Sequence, residues 1–203
     1  MMNVLVLSPH TDDGELGCGG MVAKHIVWGY NIKWVVFSDC RESNPGFELY
    51  KESGKAQRCL GITDSELYNW PVRNFDMYRQ EILDKMIEIR NNAPNRFDRV
   101  YVPNTFDIHQ DHQVITSEAM RCFKYSDILG YELPWNNLKI NNTYFCSLSD
   151  FQLKSKLRAL KQYKSQKYKK YFEPEFIVGW AQLRGLQAGC KYAEAFEVIR
   201  IIE

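Results

Sequence analysis

Short apolar runs alternate along the chain with longer segments in which apolar residues recur every three or four positions. Short runs of this kind indicate buried strands, and the wider spacing indicates amphipathic helices. The pattern predicts strands at 3–8, 33–38, 67–70, 99–103, 128–133, 144–148 and 195–202. It predicts helices at 20–29, 48–60, 76–89, 151–163 and 175–186. A further predicted helix begins after the loop at 104–109 and ends at about residue 123. We expect the last strand to close one edge of the sheet.

Strands that alternate with helices are typical of β-α units and of a mainly parallel sheet. The chain has 203 residues, which is long enough for one substantial core, and no Pro/Gly/Ser-rich linker divides it. The sequence therefore predicts a single α/β domain over residues 1–203.

The composition of the chain argues against several classes of protein. The 26 basic and 25 acidic residues give a net charge of +1, so nucleic acid is not a predicted partner. The six cysteines include no C-x-x-C pair, which argues against a zinc ribbon or a disulfide framework. No stretch approaches the ~20 apolar residues of a membrane span, and the N-terminus lacks the features of a secretion signal. We expect a cytoplasmic protein without stable membrane insertion.

Two clusters of polar residues follow predicted strands and precede helices, His10-Thr11-Asp12-Asp13 and His109-Gln110-Asp111-His112. In open α/β sheets, ligands bind at the edge that the carboxyl ends of the strands form. A nucleotide is a poor candidate, because the glycines at 14, 17, 19 and 20 depart from the G-x-G-x-x-G order and the two aspartates would repel a pyrophosphate.

A metal ion explains the carboxylates better. Catalytic zinc takes about three protein ligands and keeps one position open, and His10, Asp13 and one histidine of the second cluster form a set that zinc, iron or another divalent ion accepts. Three of the four histidines lie in the two clusters, and His25 stands alone in a helix. The competing interpretation is that the histidines pack and that Asp12 or Asp13 only caps the following helix.

The two clusters together resemble the metal motifs of the LmbE-like (PIG-L) family of zinc-dependent N-deacetylases. Weaker similarities at Glu52 with Ala56, and at 189–196, extend the resemblance over most of the chain. It implies a Rossmann-like three-layer α/β sandwich, a homo-oligomer, and removal of an acetyl group from an amino sugar or its glycoside.

By the same resemblance, His10, Asp13 and His112 would bind Zn²⁺, with Fe²⁺ as an alternative metal. Asp12 would be the general base. His109 would lie beside the reacting carbonyl as a charged or hydrogen-bonding group, and Asp111 would support His109 or His112.

The sequence departs from the family pattern at three positions, Thr11, Gly14 and Leu49, the last of which stands where an arginine is common. Arg41, Arg73 or Tyr192 is expected to steady the substrate instead. Tyr192 or a protonated His109 is the candidate to stabilise the oxyanion.

Two further features concern the substrate. Eight basic and no acidic residues lie between 151 and 172, which indicates either an anionic substrate or a solvated helix face. Aromatic residues are plentiful in the second half, either as a sugar platform or as core and subunit packing.

The preferred interpretation is a zinc hydrolase that deacetylates an N-acetylglucosamine-type amino sugar or its conjugate. The alternatives are a metal-dependent amidase acting on another small amide or thiol conjugate, and a non-catalytic Rossmann-like module that binds sugars or nucleotides.

Overall fold

The computed structural model describes residues 1–203 and contains seven strands and six α-helices. The strands are β1 (Asn3–Ser8), β2 (Asn31–Val36), β3 (Asp64–Leu67), β4 (Arg99–Pro103), β5 (Asp127–Tyr131), β6 (Tyr144–Leu148) and β7 (Tyr192–Arg200). The helices are α1 (Asp13–Val27), α2 (Leu49–Leu60), α3 (Arg79–Asn92), α4 (Gln110–Cys122), α5 (Asp150–Leu160) and α6 (Pro174–Gln187). Two short 3₁₀ turns, Lys164–Gln166 and Lys170–Phe172, lie between α5 and α6.

The strands form one sheet in the order β3-β2-β1-β4-β5-β7-β6. Strands β1 to β5 are mutually parallel, and β7 runs antiparallel to both of its neighbours. The predicted α/β fold with a mainly parallel sheet is therefore confirmed. No helix is both long and apolar enough to cross a membrane.

The two faces of the sheet are covered by different helices. Val4 and Val6 of β1 belong to a core of 28 buried residues that includes side chains of α1, α2, α5 and α6. Leu5 and Leu7 face the other way, into a core of 18 buried residues that includes side chains of α3 and α4. Alternation along a strand thus produces the three layers.

The predicted place of the last strand was wrong. β7 lies between β5 and β6, and β6 occupies the edge. Residues 193–197 are buried, although two of them are glutamates. Each glutamate has a polar partner, since Glu194 pairs with the buried Lys156 at 2.7 Å and Glu197 accepts hydrogen bonds from Thr105.

Helix α1 begins at Asp13 rather than near Gly20, so it contains the glycine cluster. The glycines allow the helix to lie close to the sheet. A Cβ atom at Gly17 would lie 2.2 Å from the Tyr131 ring, and one at Gly14 would lie 2.4 Å from the Trp34 ring. Contact with the sheet, rather than with a phosphate, accounts for these two glycines.

The chain order places the polar clusters together. From β1 the sheet grows outward through β2 to β3, and the chain then returns to place β4 on the other side of β1. Such a reversal leaves a crevice at the carboxyl ends of the two central strands. His10 follows β1 and His109 follows β4, so both lie at this crevice.

Candidate active site

A cleft of about 380 Å³ lies at the carboxyl ends of β1 and β4. Its walls include side chains from both polar clusters and from the segments 40–49, 72–73, 135–136 and 166–171. A larger groove of about 600 Å³ lies at the opposite end of the strands. In that groove Asp64 and Glu66 are both paired with Lys33, and no histidine lines it. The smaller cleft is therefore the candidate active site.

Three side-chain atoms converge on one point of the cleft wall. Asp13 Oδ2 lies 3.1 Å from His10 Nδ1 and 3.2 Å from His112 Nε2, and the two nitrogens are 3.2 Å apart. Metal–ligand distances of about 2.0–2.1 Å in a tetrahedral zinc site place the ligand atoms roughly 3.3 Å from one another. The triangle therefore has the size and the donor types that a tetrahedral divalent ion requires.

The outward-facing nitrogen of each ligand histidine is held by a buried carboxylate. His10 Nε2 lies 2.9 Å from Asp111 Oδ2, and His112 Nδ1 lies 2.7 Å from Asp107 Oδ2. A proton on each of these outer nitrogens leaves the inner nitrogen free to ligate, which is the usual support of a metal-binding histidine. Asp111 thus supports His10, not His109 or His112.

The sequence analysis missed Asp107. It lies in the loop that connects β4 to α4, and its other oxygen accepts the main-chain N–H of His109 at 2.8 Å. The available signal was the spacing, because an aspartate five residues before His112 belongs to the same short connection.

Asp111 also fixes the far wall of the cleft. Its carboxylate accepts the main-chain N–H of Arg73 at 2.7 Å and that of Phe75 at 3.3 Å. Arg73 has φ of 69°, in the left-handed region that a non-glycine residue adopts only when its surroundings hold it. One buried carboxylate therefore connects a candidate metal ligand to the backbone of a cleft-lining arginine.

The electrostatics of the three converging residues favour a cation. Burial alone lowers the pKa of His112, but the Asp13 and Asp107 carboxylates outweigh it and raise this pKa to about 10. Burial likewise opposes ionisation of Asp13, yet His112 and His10 hold the pKa of its carboxyl well below the usual range. The carboxylates thus draw positive charge to this point, as protons or as a metal ion.

Asp12 lines the cleft beside the triangle. It occupies the N-cap position of α1, but its side chain makes no capping hydrogen bond. Burial and then the neighbouring Asp13 charge raise the pKa of its carboxyl. The geometry thus gives no support to a capping role and leaves this carboxylate facing the cleft.

His109 occupies the N-cap of α4, where its Nδ1 accepts the main-chain N–H of Asp111 at 3.2 Å. Its ring stacks on His112 at 4.5 Å between centroids. Burial, followed by the charges of His112 and His10, lowers the pKa of His109 to about 4. A neutral ring whose Nδ1 is an acceptor carries its proton on Nε2, so the structure favours a neutral donor over a cation.

One nitrogen from each of His10, His109 and His112 also lies within 4.8 Å of the others. This second possible ligand set is looser than the triangle that contains Asp13, and its His109 has one nitrogen already bound to the main chain.

The remaining predicted residues are dispersed. Arg73 lines the cleft, whereas Arg41 is exposed, pairs with Asp39 at 3.0 Å and does not line it. Tyr192 lies outside the cleft, at the start of β7 opposite Leu148. The structure therefore does not bring Tyr192 to the wall that carries the candidate ligands.

Of the eight basic residues between 151 and 172, only Lys169 lines the cleft. Lys156 is buried against Glu194, and the others lie elsewhere on the surface or the helix. Two of the aromatic residues that the sequence offered either as a sugar platform or as packing, Trp135 and Tyr171, stack at 4.0 Å between centroids with an interplanar angle of 13° and line the same cleft.

Comparisons with known proteins agree with the geometry. The sequence profile of the family described as "PIG-L: GlcNAc-PI de-N-acetylase" matches residues 5–123. The uncharacterized deacetylase YaiS of Escherichia coli strain K12 is 30% identical over 167 residues, covering 80% of this chain and 90% of that protein.

Two solved structures share the fold. The conserved protein TT1542 of Thermus thermophilus superposes with a TM-score of 0.82 at 22% identity, covering 100% of this chain and 97% of that one. The N,N'-diacetylchitobiose deacetylase of Pyrococcus horikoshii superposes with a TM-score of 0.74 at 21% identity, covering 97% of this chain and 83% of that one.

Proposed function

The chain belongs to the PIG-L family, and on that premise we propose that it is a zinc-dependent hydrolase that removes the N-acetyl group of an amino sugar or of a conjugate containing one. The observation that carries the proposal is the convergence of His10 Nδ1, Asp13 Oδ2 and His112 Nε2 beside the uncapped carboxylate of Asp12.

His10, Asp13 and His112 would hold the ion. When bound, a zinc ion supplies a Lewis acid for the amide carbonyl and lowers the pKa of water toward ~7. Asp107 and Asp111 keep the two imidazoles in the ligating tautomer, because each accepts a hydrogen bond from the N–H of the outer nitrogen.

Asp12 is the candidate base and acid. In hydrolysis a water oxygen bonds to the acyl carbon, the C–N bond breaks, and the amine leaves with a proton from the water while acetate is released. The Asp12 carboxylate lies in the cleft next to Asp13 and takes the proton from the water before it delivers that proton to the amine nitrogen.

His109 is the candidate donor to the developing oxyanion. Its Nδ1 is bound to the main chain of Asp111, so the proton of the neutral ring lies on Nε2. A fixed N–H donor of this kind stabilises the oxygen of the amide as negative charge accumulates on it.

The sugar part of the proposal is supported by the relatives and by the cleft wall. One structural relative is by name a deacetylase of N,N'-diacetylchitobiose, an acetylated amino sugar. The stacked Trp135 and Tyr171 offer a flat apolar surface beside the polar groups, as expected for a site that binds a pyranose ring.

The test combines elemental analysis with an activity panel. Protein purified without chelator should contain zinc near one per chain and release acetate from N-acetylglucosamine or N,N'-diacetylchitobiose, but not from N-acetylcysteine. Release from the thiol compound alone would favour the amidase alternative.

Two matched variants locate the metal. His112→Gln should lose both metal and activity. His25→Gln should keep both, because His25 is bonded to Tyr101 in the core and lies outside the cleft. Metal-free wild-type protein, or equal loss in both variants, would contradict the proposal.

A further inference from the structure

One wall of the cleft is formed by the segment 163–171, which follows α5. Two tethers fix it against the metal-site side of the molecule. The Tyr163 hydroxyl donates to the main-chain carbonyl of Thr11, and Ser165 donates its N–H (3.1 Å) and its hydroxyl (2.5 Å) to Glu52. The wall is thus a built part of the site.

Two polar groups of this wall are available to a ligand. Lys169 is half-buried, lines the cleft and takes part in none of the salt bridges of the chain. Burial lowers the pKa of its ammonium, but the Asp12 charge and the Tyr171 hydroxyl outweigh burial and raise this pKa. Gln166 is 2% exposed, and its Oε1 has no hydrogen-bond partner although its Nε2 donates to Ser165. A buried acceptor without a partner costs stability unless a ligand or water satisfies it.

The contrast with Lys156 is informative. Lys156 is buried in the same half of the chain, and its ammonium contacts both Glu194 (2.7 Å) and the carbonyl of Leu16 (2.5 Å). A lysine that only serves packing is satisfied in this way. Lys169 instead points a positive charge into the cleft.

Two cations, Arg73 and Lys169, line the cleft beside the proposed metal ligands. The Asp13, Asp107 and Asp111 carboxylates are engaged with the two ligand histidines, so Asp12 is the lining carboxylate that remains to face these cations. A negative group on a ligand is therefore attracted to this part of the cleft.

The aromatic pair sets where the negative group would lie. Tyr171 stacks on Trp135, and Lys169 Nζ lies 5.5 Å from the centroid of the Tyr171 ring. An apolar platform next to an ammonium group fits a sugar ring that carries an acidic substituent. Gln166 Oε1 offers an acceptor for a hydroxyl of the same ligand.

We infer that Lys169 is a specificity-determining residue that binds a carboxylate or phosphate group on the acylated amino sugar. The inference rests on the proposed deacetylase function. It assigns the substrate to the acidic amino sugars, a narrower class than acetylated amino sugars in general.

The experiment uses three sugars that share one ring: N-acetylglucosamine, N-acetylmuramic acid with its added carboxylate, and N-acetylglucosamine 6-phosphate. Acetate release gives kcat/KM for the wild-type protein, for Lys169→Met and for the control Lys167→Met, whose lysine is exposed and outside the cleft. The preferred acidic sugar identifies whether the group is a carboxylate or a phosphate.

The wild-type protein should prefer an acidic sugar, and Lys169→Met should lower kcat/KM for that sugar on the order of 10- to 100-fold, as expected for a lost charge-assisted hydrogen bond. Its kcat/KM for N-acetylglucosamine should fall by a smaller factor, because this sugar has no charged group for Lys169 to bind. Lys169→Arg should keep much of the preference, and added salt should reduce it. Lys167→Met should match the wild type on all three sugars.

Two results would overturn the inference. Equal kcat/KM of the wild-type protein on the three sugars would show that the cleft does not select charge. A loss in Lys169→Met that is equal on all three would show that Lys169 acts on Asp12 and not on the substrate. If the wild-type protein deacetylated none of the sugars, the proposed function itself would fail, which is a separate outcome.

Discussion

Replacing Gly17 by alanine tests whether the close approach of α1 to the sheet is required. A Cβ atom at this position would lie 2.2 Å from Cδ2, 2.6 Å from Cγ and 2.9 Å from Cβ of Tyr131. The last two atoms lie near the backbone, and Tyr131 is fully buried, so its ring cannot swing aside. Either α1 or β5 must move, and Asp13 lies in the first turn of α1.

The magnitude follows from three contributions. Overpacking a buried site costs about 1–3 kcal/mol. Displacement of Tyr131 weakens the hydrogen bond from its hydroxyl to the carbonyl of Leu7, now 3.0 Å long and worth about 1 kcal/mol. Alanine gains roughly 1 kcal/mol over glycine in a helix. We therefore expect the free energy of unfolding to fall by about 1–3 kcal/mol, which lowers Tm by roughly 2–12 °C in a chain of this size.

Gly179→Ala is the matched control, since Gly179 is also inside a helix and its Cβ would meet nothing within 4 Å. This variant should be more stable by up to about 1 kcal/mol. Urea unfolding followed by circular dichroism measures both variants against the wild type, provided that the m-values agree. If Gly17→Ala were as stable as Gly179→Ala, α1 could retreat without cost and our explanation of the glycine cluster would be wrong.

Three further outcomes are expected. Asp12→Asn should keep its metal while kcat falls by roughly 10²–10⁴, whereas Asp13→Asn should lose metal and activity together. Metal analysis beside single-turnover deacetylation separates the two roles. The opposite pattern would exchange the roles of base and metal ligand between the two aspartates. Asp107→Asn should weaken metal binding by roughly 10- to 100-fold in chelator competition, and an unchanged affinity would remove its supporting role. Burial, then the charges of Arg99 and Lys24, lowers the pKa of His25 from 6.5 to about 4. As pH falls, the unfolded chain therefore binds this proton before the folded chain does, and stability is lost between about pH 6.5 and pH 4. His25→Gln should lose less stability over that range when unfolding is measured as a function of pH.

The two polar clusters, and their proximity in the fold, could be predicted from the sequence. Each follows a recognisable strand, and parallel neighbouring strands bring their carboxyl ends to one edge. The spacing placed Asp107 near His112 in the chain, but sequence could not show that the two side chains meet, since the direction of the Asp107 carboxylate depends on the conformation of the loop after β4. Nor could it single out Lys169 from the other basic residues around it, because only the tertiary fold decides which of them reaches the cleft.

The two errors in the predicted fold, the start of α1 and the position of β7, have a common origin. In both places tertiary contacts outweigh the usual structural preference of a residue type. Glycine disfavours helices, so the start of α1 was placed too late; the close contact of Gly17 with Tyr131 outweighs that preference. Glutamate is rarely buried, so a strand that carries Glu194 and Glu197 suits an exposed edge, but Glu194 is neutralised by Lys156 inside the molecule. Such compensation involves residues far apart in the chain and leaves no local signal.

The order of the chain separates the residues proposed to carry the reaction from those proposed to select the substrate. The residues proposed to hold the metal and move the proton all precede residue 123, where the match to the family profile ends. The cleft wall with Trp135 and the segment 163–171 comes after it. A library that randomised Trp135, Gln166, Lys169 and Tyr171 but kept the tethering residues Tyr163 and Ser165 would therefore vary the proposed sugar-binding wall without changing any proposed metal ligand or proton carrier.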